Sequence, residues 1–241
     1  MTSDRHLDWE GCHNVRDLGG LRSADGRETR RGAIVRADSL DRLTPRGWSA
    51  LVDYGVRTIV DLRNDYERPA TAEHRPDQVT TVHVPLDDTA DHRFWDYIQD
   101  NELDGTPLYY LPFLEHKPER CAAAITAIAR ARPGGVVIHC SVGRDRTGLI
   151  TLLLLSLVGV SPEEIVADYE LSATRLSPLF AEYGMDDQGP YIEGVFKRKN
   201  TSARTAILAT LKAIDTASYL CAANLSDDEL DTIRTRLLGT A

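Results

Sequence analysis

The sequence predicts an α/β sandwich whose sheet is largely parallel. Two short apolar runs rich in β-branched residues, Val56–Leu62 and Gly135–Ile138, predict buried strands. A helix signal precedes each run. Thr44 and Pro45 combine an N-cap residue with a proline at the first helical position, and the Ala-rich stretch 118–131 comes before the second run. Because parallel strands need a long connection, which is usually a helix, this alternation favours a parallel sheet.

The remaining elements are predicted from the same signals in chain order. The run 149–160 is almost unbroken in apolar residues and too long for a strand, so it predicts a buried helix. Ser161, Pro162 and Glu164 supply an N-cap, a first-turn proline and a capping-box acid, which predict the start of another helix. The other predicted elements are a hairpin turn at Asp25-Gly26, strands near 33–36 and 79–84, and a helical C-terminal region at 172–241 with interruptions at Pro178, Gly184, Gly189 and Pro190.

Composition and charge indicate an ordinary globular protein and exclude two classes of partner. The chain has 241 residues, of which 42% are apolar and 27% charged, and these values are typical of globular proteins. A formal net charge of -9 argues against a general nucleic-acid binder and against binding to anionic membranes. No repeat, low-complexity tract or linker divides the chain, so we expect a single domain over residues 1–241.

The cysteines and the N-terminal segment favour a cytoplasmic protein. Residues 1–10 are charged and contain no apolar core of a secretory signal. The apolar run 149–160 is too short to span a bilayer, so we expect no transmembrane segment. The sequence carries no signal for an oligomeric state. The cysteines have neither disulfide-framework nor metal-ligand spacing, which suits a reducing compartment; they are Cys12, Cys121, Cys140 and Cys221.

The ten residues from His139 to Gly148, called the Cys140 loop, connect the strand at 135–138 to the helix at 149–160. In a tight loop of this kind, the backbone N–H groups of residues 141–146 can turn inward and bind an anion. The dipole of the following helix adds positive potential. Both effects favour the thiolate of a cysteine, which is its nucleophilic form. The pattern predicts phosphate ester cleavage through a cysteinyl-phosphate.

Other residues of the Cys140 loop fit this chemistry. Arg146 presents a planar guanidinium to two phosphoryl oxygens, which a lysine cannot do. Thr147 can donate its hydroxyl to the thiolate as the intermediate hydrolyses. Gly143 fits a bend that needs a positive φ, and Gly148 allows the helix to pack closely. The alternative for Cys140 is a buried, unreactive thiol, because most free cysteines are buried.

The order His-Cys, five residues, Arg and Thr-Gly resembles the signature of the cysteine-dependent protein tyrosine and dual-specificity phosphatase superfamily. The ending Asp145–Gly148 is similar to a bacterial branch that includes the mycobacterial protein tyrosine phosphatase B. Arg144 departs from that branch, which usually has lysine there, so the charge is kept but the geometry is not. Further matching segments bring the resemblance to about residues 14–169; they are Asn14–Gly20, Val60–Arg63 and Ile165–Tyr169.

The resemblance implies a three-layer sandwich, with helices on both sides of a central sheet, and a phosphatase. No metal or other cofactor is expected, since an arginine and aligned N–H groups supply the electrostatic stabilisation. The implied substrates are phosphotyrosine and, in addition, phosphoserine, phosphothreonine or phosphoinositides. Because the loop binds phosphate and not the leaving group, phosphorylated metabolites or nucleotides are an alternative. An inactive module that binds phosphopeptides is a third. Expected partners are therefore phosphorylated proteins, lipids or small molecules.

Two groups of residues are predicted around the phosphate, those of the Cys140 loop itself and those that lie near it. The resemblance places Arg16 near the pocket, and Asp61 and Arg63 lie at the carboxyl end of a strand, where ligand sites of α/β sheets are found. The alternative is a local ion pair of Arg63 with Asp61 or Glu67. His139 is expected to support the loop through a hydrogen bond. Phosphate binding is expected from the loop itself, through Ser141, Val142, Gly143, Arg144, Asp145, Arg146 and Thr147.

Asp145 is the predicted general acid, because it lies inside the loop and the resembling branch has aspartate at the matching position. Its alternative role is to orient an arginine, since cations beside a carboxylate favour the ionised form. The acidic and aromatic segment 86–112 predicts a mobile lid or, alternatively, a solvated helix with its aromatic side chains in the core. Rival acids are Asp61 and, within that segment, Asp87, Asp88, Asp91 and Asp96.

Overall fold

The computed structural model describes residues 5–69 and 75–240. Residues 1–4, part of the segment predicted to lack a secretory signal, lie outside this description. Within the described ranges, one sheet of five strands has the order β1-β2-β5-β3-β4. The strands are β1 (Arg16–Asp17), β2 (Ile34–Ala37), β3 (Val56–Asp61), β4 (Thr80–His83) and β5 (Gly135–His139).

The helices surround this sheet and account for most of the chain after residue 91. Two are capped as the sequence predicts, because the hydroxyls of Thr44 and Ser161 accept hydrogen bonds from backbone N–H groups in the first turn, and Ser226 caps a third helix in the same way. The helices are α1 (Pro45–Asp53), α2 (His92–Asp100), α3 (Tyr110–His116), α4 (Pro118–Ala129), α5 (Asp145–Leu157), α6 (Pro162–Glu182), α7 (Gly189–Arg198), α8 (Ala203–Ala213), α9 (Thr216–Ala222) and α10 (Asp227–Leu238).

The register of the sheet brings three strand ends together. Strand β5 lies between β2 and β3 and is parallel to both, while β1 is an antiparallel edge strand. His139, the last residue of β5, is paired with Ala37 of β2 and with Asp61 of β3. The prediction of a largely parallel sheet is therefore confirmed, and the segments that follow these strands meet at one edge.

Helices cover both faces of the sheet, which confirms the three-layer sandwich. Alternate residues of β5 point to opposite sides: Val137 packs in a core with Trp48 of α1, whereas Val136 and Ile138 pack in a larger core with α4 and α5. All of these strand side chains are buried. Burying a valine or isoleucine side chain contributes about 1.5–3 kcal/mol, so the central strand is held firmly from both sides.

Helix α6 differs from the prediction at one point. It runs without interruption from Pro162 to Glu182 and contains Pro178 in its interior, so the predicted break at this proline is wrong. A proline inside a helix removes one backbone hydrogen bond. Buried side chains on both sides of it, Leu176 and Phe180, pack in one small cluster that includes Val142 of the Cys140 loop. This packing compensates for the missing bond and places α6 against the loop.

The segment 86–112 contains the helix that the second alternative predicts. Phe94 and Ile98 of α2 are buried, as are Tyr109 and Tyr110 near its end. Phe94, Tyr109 and Tyr110 therefore contribute to the core, whereas Tyr97 is exposed. That this segment moves as a lid stays a prediction. No helix within residues 5–69 and 75–240 combines the length and the apolar character that crossing a membrane requires.

Candidate active site

The Cys140 loop lies at the carboxyl edge of the sheet and runs from the last residue of β5 into the first turn of α5. Cys140 follows β5 directly and is buried, with 2% of its surface exposed. Helix α5 begins at Asp145, so its N-terminus faces the other side of the loop. A helix N-terminus carries unpaired N–H groups and the positive end of the dipole. The thiol is thus close to the part of the fold that best stabilises an anion.

Residues of neighbouring elements donate hydrogen bonds to successive backbone carbonyl groups of the loop. The backbone N–H of Ser39, just after β2, donates to the carbonyl of Ser141 at 3.0 Å. At the helix side, the hydroxyl of Tyr110 donates to the carbonyl of Asp145 at 2.9 Å. These carbonyl oxygens therefore point toward the surrounding protein.

The carbonyls in the middle of the loop are bound by two side chains from the N-terminal part of the chain. Asn14 donates from Nδ2 to the carbonyl of Val142 at 2.9 Å, and Arg36 donates from Nη2 to the carbonyl of Gly143 at 2.7 Å. In a trans peptide the C=O and the N–H point in opposite directions. The N–H groups of residues 142, 143, 144 and 146, each of which follows a bound carbonyl, consequently point away from these partners, an arrangement that can bind an anion.

Gly143 is required by the shape of this loop. Its φ is +70°, in the left-handed region, and an added Cβ atom would lie 2.4 Å from the carbonyl oxygen of Ala37. No other residue type fits both constraints. The close approach lets the loop bend against β2, where Arg36 reaches its carbonyl group.

Arg146 is held by two carboxylates from other segments. Its Nη1 and Nη2 donate to Glu67 at 2.5 and 2.7 Å, and Nη1 lies 3.2 Å from Oδ2 of Asp87. The hydroxyl of Ser141 also donates to Glu67, at 2.6 Å. From the sequence, Glu67 is expected only as an alternative ion-pair partner of Arg63. Its position in a 3-10 turn, Asp65–Glu67, shortly after the carboxyl end of β3 is the signal that marks it as a site residue.

The two carboxylates beside Arg146 have opposite protonation tendencies. Burial alone raises the pKa of Glu67, but hydrogen bonds from Arg146 and Ser141 outweigh it and lower the pKa to about 2. For Asp87, burial dominates and raises the pKa above its usual value, although Arg146 opposes this shift. Glu67 is therefore an anion near neutral pH, and Asp87 retains its proton more readily.

Arg144 and Asp145 bind each other. Arg144 donates from Nε and Nη2 to the two carboxylate oxygens of Asp145, at 3.0 and 3.1 Å. Its Nη2 also donates to the carbonyl of Gly105 and to Oε1 of Gln188. Arg144 is buried, so this side chain joins the loop to the segment after α2 and to the start of α7. Phosphate binding by Arg144 stays a prediction, and the backbone N–H of Arg144 is the group that could make the contact.

The residues predicted at the end of β3 pair mainly with each other. Arg63 donates to both carboxylate oxygens of Asp61, at 3.0 and 2.9 Å, and binds Asp41 as well. Nε2 of His139 lies 3.6 Å from Asp61, and its Nδ1 is 3.2 Å from the carbonyl oxygen of Cys140. Burial lowers the pKa of His139 to about 4, so the ring is neutral near pH 7. Asp61 and Arg63 thus form the local ion pair that was the alternative prediction, and His139 lies beside it.

The remaining predicted residues lie farther from the thiol. Arg16 lies behind the loop and donates to Oδ1 of Asn14 at 2.6 Å. Asp88 and Asp91 form ion pairs with Lys117, and Asp96 is exposed on α2. Of the rival acids in 86–112, Asp87 is the one that contacts Arg146. Across the part of the chain that the structure describes, no group of three or more His, Cys, Asp or Glu side chains is placed to hold a metal ion.

A cysteine and an arginine on one anion-binding loop, at the carboxyl edge of a parallel sheet, are typical of phosphatases that resemble protein tyrosine phosphatases. A sequence model described as the tyrosine phosphatase family matches residues 7–239, and the chain belongs to that family. It is a phosphatase enzyme. The resemblance seen in the motif is therefore confirmed.

Named relatives agree with this assignment. A tyrosine-protein phosphatase of Nostoc commune is 29% identical over 218 residues, which cover 85% of this chain and 74% of the relative. A putative tyrosine-protein phosphatase of Cupriavidus necator is 29% identical over 71% of this chain and 64% of its own length. The triple specificity protein phosphatase PtpB of Mycobacterium tuberculosis is 26% identical over 91% of this chain and 87% of its own length.

Proposed function

We propose that the chain hydrolyses phosphomonoesters, above all phosphotyrosine in proteins, through a cysteinyl-phosphate intermediate on Cys140. One observation carries this proposal: four donors, one each from Ser39, Asn14, Arg36 and Tyr110, hold the carbonyls of residues 141, 142, 143 and 145 away from the thiol, which leaves the N–H groups of the following residues free to bind a phosphoryl group. Arg146, fixed by Glu67, supports the same reading as a donor to two phosphoryl oxygens.

The reaction has two steps. The thiolate of Cys140 attacks phosphorus, so that an S–P bond forms while the P–O bond to the leaving group breaks, and a general acid protonates the departing oxygen. Water then attacks phosphorus and gives a proton to the carboxylate that the general acid has become, the S–P bond breaks, Cys140 returns to its thiolate form and phosphate leaves. The loop N–H groups and Arg146 stabilise the charge on the equatorial oxygens in both steps. The buried hydroxyl of Thr147 has no hydrogen-bond partner among the described residues, which leaves it available to donate to the departing thiolate.

Two carboxylates compete for the role of general acid. Asp145, favoured by its place in the loop, pairs with the buried Arg144, and this pairing favours a role in orienting the arginine. Asp87 lies beside Arg146, and its raised pKa suits a group that must carry a proton. The two assignments predict different responses to leaving-group basicity.

The proposed substrates extend beyond phosphotyrosine. The Mycobacterium tuberculosis relative is named a triple specificity phosphatase, and we extend the proposal to phosphoserine, phosphothreonine and phosphoinositides. Phosphorylated metabolites and nucleotides form the second class, because the loop contacts are to phosphate alone. The nucleophilic thiolate must stay reduced. Cys12, Cys121, Cys140 and Cys221 are all free, which supports activity in a reducing compartment such as the cytoplasm.

A turnover screen tests the proposal. Wild-type protein and Cys140→Ser are compared on tyrosine and serine/threonine phosphopeptides, phosphoinositides, nucleotides and phosphorylated metabolites. We expect the highest kcat/KM on phosphotyrosine peptides, no turnover by the variant, and retained vanadate binding by both. A clear preference for a metabolite would replace the proposed substrate class. Peptide binding without hydrolysis by the wild type would instead indicate a binding module.

A further inference from the structure

A buried cluster of charges lies directly behind the Cys140 loop. Asp168, on α6, is 1% exposed. Three arginines donate to its carboxylate: Arg5 from Nη2 at 2.7 Å, Arg16 from Nε at 3.1 Å and Arg36 from Nη1 at 2.6 Å. Arg16 also donates to the backbone carbonyl of Asp168 at 2.6 Å.

The cluster carries an excess of positive charge. Within the described residues, Asp168 is the ion-pair partner of all three arginines, so three guanidinium groups share one carboxylate. Burial alone raises the pKa of Asp168, but Arg16, Arg36 and Arg5 outweigh it and hold the pKa far below its usual range. The carboxylate is thus permanently ionised near neutral pH, and the arginines around it are fixed by hydrogen bonds.

Two chains of contacts lead from Asp168 to the loop. Arg36 binds Asp168 with Nη1 and the carbonyl of Gly143 with Nη2. Arg16 binds Asp168 and also Oδ1 of Asn14, which orients the amide of Asn14 so that Nδ2 donates to the carbonyl of Val142. Both donors that hold the middle of the loop are therefore linked to Asp168, Arg36 directly and Asn14 through Arg16.

We propose that Asp168 is a positioning residue for phosphate hydrolysis. Through Arg36 and through the pair Arg16–Asn14, it orients the two peptide groups whose N–H groups, those of Gly143 and Arg144, face the phosphate. The same arginines place net positive charge behind the loop, in a buried environment where screening is weak. This inference rests on the proposed function of the loop, and it adds to the loop a supporting shell from β2, α6 and the N-terminal segment.

The consequence concerns oxyanion binding and the rate. Backbone donors stabilise the transition state only if they point at the equatorial oxygens, so small rotations of these peptides lower kcat more than they raise KM. They also weaken binding of vanadate, which resembles the transition state. If the role of Asp168 were purely structural, disturbing its contacts would lower the thermal stability. The kcat and the vanadate affinity of the folded protein would then stay unchanged.

The test uses two variants that leave Asp168 in place. Arg36→Lys keeps the charge, but a single ammonium group cannot reproduce the contacts that two separate nitrogens make with Asp168 and Gly143. Asn14→Ala removes the donor to Val142 and leaves the ion pairs. The matched control is Asp17→Asn, because Asp17 is equally buried and binds the N–H groups of Gly19 and Gly32 instead of the loop.

We expect Arg36→Lys and Asn14→Ala each to lower kcat for p-nitrophenyl phosphate and to weaken vanadate binding by about tenfold or more. The control Asp17→Asn is expected to lower Tm, while its kcat and its vanadate affinity stay within about twofold of the wild-type values. The proposal is overturned if a folded Arg36→Lys or Asn14→Ala protein keeps the wild-type kcat and vanadate affinity. Calorimetric titration with vanadate measures the affinity of the loop for an oxyanion without requiring turnover. An inactive wild type would thus contradict the proposed function, and the same titration would still decide the role of Asp168.

Discussion

Arg146 and Glu67 form a doubly hydrogen-bonded ion pair, with Nη1 and Nη2 of the arginine at 2.5 and 2.7 Å from the two carboxylate oxygens. The same carboxylate accepts a hydrogen bond from Ser141 at 2.6 Å. Glu67 thus connects the segment after β3 to both ends of the Cys140 loop. Such charge-assisted pairs fix the plane of the guanidinium as well as its position.

Glu67→Gln is expected to lower kcat by about tenfold to a hundredfold, with a smaller change in KM. The reason is that the NH2 group of the glutamine faces one N–H group of Arg146, so two donors meet. The side chain then no longer fixes the plane of the guanidinium. Steady-state kinetics with p-nitrophenyl phosphate checks this, with the exposed Glu28→Gln as control. Tighter phosphate inhibition in Glu67→Gln would contradict this role of Glu67, because it would mean that Glu67 competes with phosphate for Arg146.

Asp145→Asn and Asp87→Asn separate the two candidates for the general acid. The variant that lacks the acid should slow phenyl phosphate at least about tenfold more than p-nitrophenyl phosphate, because the basic leaving group needs the proton. Loss of a residue that only orients Arg144 slows both substrates equally. Asp88→Asn serves as control, since Asp88 pairs with Lys117. If each variant slows phenyl phosphate and p-nitrophenyl phosphate by the same factor, neither Asp145 nor Asp87 is the general acid. Asp61 is then the next candidate to test.

Gly143→Ala is expected to remove oxyanion binding and to destabilise the protein by more than 2 kcal/mol, on the order of a severe backbone clash. The added Cβ would meet the Ala37 carbonyl oxygen at 2.4 Å, at a φ of +70°. Gly26→Ala is the control, because its φ is +85° and its Cβ would meet nothing within 4 Å. The control should cost about 1 kcal/mol, from backbone strain alone. Equal losses in chemical denaturation would contradict the packing argument.

His139 predicts a loss of stability in acid. Burial lowers its pKa in the folded protein from 6.5 to about 4. As the pH falls, the unfolded chain therefore binds the proton first, and stability is lost between these two values. From about pH 7.5 to pH 5 this loss amounts to about 2 kcal/mol. Urea denaturation of the wild type and of His139→Asn at these two pH values checks this. The free energy of unfolding should decline less in the variant, by the amount given. Parallel declines would contradict the assignment.

The fold could be predicted from local signals. The apolar runs that became β3 and β5 and the cap at Thr44 depend on neighbouring residues only, and the resulting α/β sheet is as expected. The contacts that shape the loop depend on tertiary structure. Glu67 and Arg146 are 79 residues apart, and Arg36 and Asp168 are 132 apart, so no spacing rule connects them. Pro178 illustrates the same limit, because packing on both sides outweighs its helix-breaking tendency.

The proposed mechanism requires a covalent phosphoenzyme on Cys140. The most direct measurement is acid quenching of the enzyme during turnover of a phosphotyrosine substrate labelled in the phosphoryl group, followed by mapping of the labelled peptide. We predict label on the peptide that contains Cys140 in the wild-type protein and none in Cys140→Ser. Label on a different residue, or undiminished turnover by Cys140→Ser, would contradict the mechanism.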